Sequence, residues 1–87
     1  MGRIEIAELE AGAAGATNSA EVFFQLGIIY STGGSVPADY VTAHKWFNLA
    51  AMRGNHEAVR LRQEIAQQMS GTEIAAAQRA ARAWLGH

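Results

Sequence analysis

Four stretches of the chain set apolar residues three and four apart, the spacing of one helix face, and helix-stopping residues stand between them. The first stretch predicts a helix over 19–32, opened by a capping box of Asn18 with Glu21 three residues on. Its inner face is expected to carry Val22, Leu26, Ile29 and Tyr30, with Phe24 and Ile28 roughly half a turn away. Gly33-Gly34 stops it, since glycine accepts the left-handed conformation of a helix C-cap. Asp39 is a good N-cap for a second helix over 39–53, built around Ala43, Trp46, Phe47 and Ala50 and closed by Gly54. Asn55 caps a third helix over 56–69, and a joint this tight lays the second and third helices side by side and antiparallel. Ser70-Gly71-Thr72-Glu73 is a second capping box, opening a fourth helix over 71–85 whose inner stripe is Ile74, Ala77, Ala81, Trp84 and Leu85.

Ahead of these lies a segment without one reading. Ile4 and Ile6 alternate with charges as a strand would, whereas Ile6, Leu9 and Ala13 fit one stripe of a short helix. Residues 11–19 are nearly all small and read as a flexible linker. The expected organisation is therefore an N-terminal segment and linker over 1–19 and a helical domain over 20–87, divided into hairpins 20–54 and 55–87.

Within the first hairpin, small and bulky residues recur at fixed offsets: Leu26-Gly27-x-x-Tyr30-x-x-Gly33, then Asp39 and Ala43-x-x-Trp46-x-x-x-Ala50-Ala51-x-x-Gly54. A glycine inside a helix costs about 1 kcal/mol relative to alanine, so Gly27 among large apolar neighbours suggests that another helix comes close. Trp46 and Tyr30 would fill the space between the two helices, and Ala43, Ala50 and Ala51 would let them approach. The second hairpin reads as a worn copy. Asn55 matches Asn18, and Trp84 sits roughly as Trp46 does, about 36 residues separating the units, within the range of helical-hairpin repeats. Its Leu-Gly-x-x-Tyr signature is replaced by Arg62-Gln63-x-x-Ala66, and terminal repeats are often atypical because one face must be polar.

These residues, in this order, resemble the Sel-one-like repeat, a longer cousin of the tetratricopeptide repeat. The stretch from Met69 through Gln78 to Trp84 also resembles the closing helix of many bacterial Sel-one-like proteins. The resemblance covers about residues 20–85. It implies an all-α fold of antiparallel hairpins stacked as a short α-α superhelix of about four helices, working as a protein-interaction scaffold or adaptor that binds a protein or peptide. Two hairpins are short for the family, which makes self-association more attractive. If Phe24 and Ile28 stand uncovered, they form a candidate interface for a homodimer, with docking of the N-terminal segment as the alternative cover.

Composition narrows the picture further. At 87 residues, 49% hydrophobic and 17% charged, the chain has the makeup of one small folded domain and not of a disordered one. It contains no cysteine, which excludes disulfides and thiolate metal sites and makes a reducing cytoplasm the simplest compartment. No stretch approaches the ~18 apolar residues of a membrane span, and the N-terminus lacks the apolar run of a signal peptide. The net charge of −1 is unevenly spread. Over 1–40, Arg3 stands against Glu5, Glu8, Glu10, Glu21 and Asp39, leaving −4, and the remainder carries +3.

Candidate chemistry is sparse. His44, His56 and His87 are the only imidazoles, and the five-residue offset from Asp39 to His44 points the pair to different sides of a helix. Exposed or capping roles are expected for them, not metal binding. Gly33-Gly34-Ser35 is too short for a phosphate loop, and no serine sits in a nucleophile elbow, so no catalysis and no cofactor are expected. The arginines are the recurring polar theme, with Arg62, Arg79 and Arg82 as candidate contacts for a partner. A small regulatory factor using them to bind nucleic acid or an acidic regulator is the alternative function. The sequence pI near 6.3 argues against nucleic acid. Trp46 and Trp84 are expected in the core before any interface.

Overall fold

The computed structural model describes Glu10 and residues 20–86. Four helices follow one another: α1 (Ala20–Thr32), α2 (Tyr40–Met52), α3 (His56–Ala66) and α4 (Gly71–Leu85), with no strand among the described residues. The fold is all-α, as the spacing of apolar residues predicts. The readings of 1–9, of the linker at 11–19, and of Asn18 as a cap fall outside the described residues; Glu10 is helical.

Each helix end has a local cause. Gly33 takes a φ of +73° at the end of α1, and its N–H donates to the Ile29 carbonyl at 3.3 Å. The Asp39 N–H then donates to the Tyr30 carbonyl at 2.9 Å, which turns the chain back onto α1. Asp39 caps α2 by accepting from the Thr42 N–H at 3.1 Å and the Thr42 hydroxyl at 2.8 Å. Gly54, with a φ of +102°, leads directly to Asn55, whose Oδ1 accepts from the Ala58 N–H at 2.9 Å. At α4 both halves of the capping box form, Glu73 N–H to Ser70 Oγ at 3.0 Å and Ser70 N–H to Glu73 Oε1 at 2.8 Å. α3 stops at Ala66, three residues short of the expected end. The N–H groups of Gln67, Gln68 and Met69 reach back only three residues, so the last turn tightens out of the α-helix.

α2 is the hub. It buries Ala43, His44, Trp46, Phe47, Leu49 and Ala50, more of its circumference than one hairpin partner could cover. α1, α3 and α4 each pack against it, while α3 and α4 rest chiefly on α2 and only marginally on each other. Chain direction follows from the contacts. Phe23 meets Trp46 while Tyr30 meets Asp39, so α1 and α2 are antiparallel. Asn55 lies beside Ala50 and Arg62 bonds Asn48, so α3 runs back along α2. Trp84 lies beside Trp46 and Glu73 near Asp39, which sets α4 parallel to α2.

Two assignments of inner faces need correction. The buried face of α1 is Phe23, Leu26 and Gly27, with Val22 and Tyr30 at its margin; Ile29 is outside the core. Phe24 and Ile28 do not stand uncovered half a turn away; both are half-buried against the core. The reason is Gly27, whose missing side chain lets Phe47 lie across α1 and reach the Phe24 ring at 5.8 Å. On α4, Ala77 and Ala81 are buried and Trp84 half-buried, but Leu85, one position on from Trp84 around the helix, is exposed.

Candidate interaction cleft

The turn between α1 and α2 leaves an open cleft of about 510 Å³. Tyr30, from the last turn of α1, and Tyr40, from the first turn of α2, line it, and Val36, Pro37 and Val41 supply its apolar wall. Asp39 is drawn in because it caps α2, and Glu73 because α4 begins at the same end of the bundle. Proline cannot continue a helix and fixes its own φ, so Pro37 keeps the 33–38 connection out of both helices. Glu10 meets Tyr30, its Oε2 accepting from the Tyr30 hydroxyl at 3.2 Å. Burial first, then the negative charges of Glu10 and Asp39, hold the Tyr30 phenol above its ordinary pKa.

The motif residues divide between core and turns. Leu26, Ala43, Trp46 and Ala50 are fully buried, Ala51, Tyr30 and Trp84 are half-buried, and Gly33, Asp39 and Gly54 make the turns. Only Tyr30 and Asp39 of that set reach the cleft. Tyr40, Val36 and Pro37 carry no motif, and their one signal in the sequence is an aromatic on either side of a proline-containing loop.

A second cluster is aromatic. Phe23, Trp46 and Trp84 meet ring to ring, Trp46 with Phe23 at 5.7 Å and with Trp84 at 4.9 Å. Lys45 covers them, its Nζ 4.2 Å from the Trp46 ring centroid and 5.3 Å from that of Trp84. Burial pushes the Lys45 amine below its ordinary pKa, and Glu10 opposes that shift.

His44 is not exposed, contrary to expectation. It keeps 4% of its surface because α2 is enclosed by three helices, and its Nδ1 has no hydrogen-bond partner among the described residues. Burial, then the nearby Arg62 charge, lowers its pKa. A base with a depressed folded pKa takes up its proton more readily in the unfolded chain. His44 therefore leaves stability intact above the unfolded value near 6.5 and removes it as pH falls below that value. The expected result is a melting temperature that drops from about pH 7 to about pH 5, with a flatter profile in His44→Leu. Parallel profiles would show that other groups govern the acid limb.

The arginines do not converge. Arg62 donates to Asn48 Oδ1 at 2.6 Å, and Arg60 pairs with Glu57 and, at 2.6 Å, with Glu64 on its own helix. Arg53, Arg79 and Arg82 are exposed. Among the described residues no group of His, Asp and Glu is arranged to hold a metal ion, and no helix is long and apolar enough to cross a membrane. Taken together these features define a small all-α helical-hairpin arrangement with an aromatic, acid-rimmed cleft at its first turn. No known protein family, curated protein or solved structure matches the chain.

Proposed function

We propose that the chain is a protein-interaction module, a scaffold or adaptor without catalysis of its own, which holds a segment of another polypeptide in the cleft between α1 and α2. The observation that carries this reading is the cleft itself: two tyrosines and three aliphatic residues held open by helices that all brace on α2. Aromatic side chains with an apolar body and a polar tip are the groups that interfaces favour. The resemblance of the first hairpin to Sel-one-like repeats supports the same class of function. Binding through the arginines has less support, because Arg62 is engaged by Asn48 within the domain and none of Arg62, Arg79 and Arg82 lines the cleft. Pairing of two copies through Phe24 and Ile28 also has less to act on, since both side chains lean on this chain's own core.

The test is affinity capture from the native cell followed by mass spectrometry, comparing the wild type with Tyr40→Ala and with Val36→Trp, which fills the cleft. A polypeptide recovered by the wild type and lost with both variants, each melting cooperatively, is the expected result. Recovery that neither substitution changes would remove the cleft from the binding surface.

A further inference from the structure

We infer that the cleft between α1 and α2 is built for a cationic side chain, arginine above all, carried on an extended segment of a partner polypeptide; this rests on the interaction reading above. The charged groups lining the cleft are Asp39 and Glu73, from different helices and of the same sign. Glu10 bonds the Tyr30 hydroxyl but also faces Lys45, whose amine is turned toward the tryptophans. The helix N-termini beside Asp39 and Glu73 offset only part of this charge, about half a unit each against a full unit on each carboxylate.

Both carboxylates keep acceptor capacity. Glu73 uses Oε1 for the Ser70 N–H and leaves Oε2 without a partner among the described residues. Asp39 spends one bond from each oxygen on Thr42, and a carboxylate oxygen has two lone pairs. Tyr30 and Tyr40 supply aromatic rings on which a guanidinium can stack, and Val36, Pro37 and Val41 supply apolar surface for its aliphatic stem. Arginine suits this set better than lysine, because its planar fork matches carboxylates and stacks on aromatic rings. The volume falls in the ~300–1,000 Å³ range of ligand pockets, which admits the side chain with its flanking backbone. Among the described residues no arginine or lysine lines the cleft.

The probe is the capped tripeptide acetyl-Gly-Arg-Gly-amide, titrated into the isotopically labelled full chain and followed by amide NMR. The control replaces arginine by citrulline, which has nearly the same shape and no charge. The expected result is shifts concentrated at Tyr30, Val36, Tyr40, Val41 and Glu73, with binding weakened roughly tenfold or more by citrulline. Asp39→Asn with Glu73→Gln should abolish the difference between the peptides while keeping both caps, since Asn and Gln serve at those positions. Scattered shifts, equal binding of the two peptides, or an unchanged response of the double variant would overturn the inference. So would shifts at the same amides on concentrating the protein alone, which would put a second copy in the cleft. If the peptide fails while cell capture still depends on Tyr40 and Val36, the cation is wrong and the interaction reading stands; if both fail, both fall.

Discussion

Trp46→Ala is expected to remove roughly 3–5 kcal/mol of stability, a large part of the ~5–10 kcal/mol that a domain of this size holds. No other buried side chain is as large, and it is 0% exposed. Its ring touches two helices besides its own, stacking on Phe23 from α1 and meeting Trp84 of α4 edge to face. Its removal thus takes away the surface on which α1 and α4 both rest. Lys45 loses its ring as well, leaving a half-buried amine whose pKa is already pushed down by burial. At ~4–8 °C per kcal/mol for a small domain, the melting temperature should fall by at least ~12 °C. Trp46→Phe should cost much less, because the indole Nε1 has no hydrogen-bond partner to lose among the described residues. A shift of only a degree or two in the alanine variant would place Trp46 outside the core.

That Trp46 belongs inside is legible in the sequence, because Ala43 and Ala50 flank it at helical spacing. The starts of α2, α3 and α4 are legible for the same local reason: Asp39, Asn55 and Ser70 act on N–H groups three residues away, and nothing distant enters. Faces are harder to read. α1 carries apolar residues around most of its circumference, so periodicity selects no single stripe; in the fold Phe23 turns inward onto Trp46, and Phe24 meets Phe47 at the margin. His44 shows the same limit. A polar residue on α2 reads as exposed when that helix is imagined with one partner, and it becomes buried when α3 and α4 also close on it. The cleft is the least legible feature, because Glu73 joins it across thirty-four positions from Asp39 only once α4 lies parallel to α2.

Gly27 gives the second large effect, and here helix propensity and packing predict opposite signs. On propensity alone Gly27→Ala should stabilise α1 by about 1 kcal/mol, and leucine by nearly as much. In the folded protein a Cβ at position 27 would stand 2.5 Å from both Cδ1 and Cε1 of Phe47. That ring is 1% exposed and bears on Phe24, so it has no free space to retreat into. Overpacking of this kind costs ~1–3 kcal/mol. Gly27→Ala is therefore expected to be neutral to destabilising by about 2 kcal/mol after its propensity gain. Gly27→Leu, which pushes further atoms into the α1–α2 seam, should exceed it and approach loss of the fold. The cause can be isolated in a double-mutant cycle with Phe47→Ala, measured by urea unfolding. With the ring gone, Gly27→Ala should recover its helix-propensity benefit and become stabilising relative to Phe47→Ala alone. If alanine at 27 raises stability with Phe47 in place, the two helices are not held apart by a single hydrogen's width, and Gly27 is merely a weak position in α1.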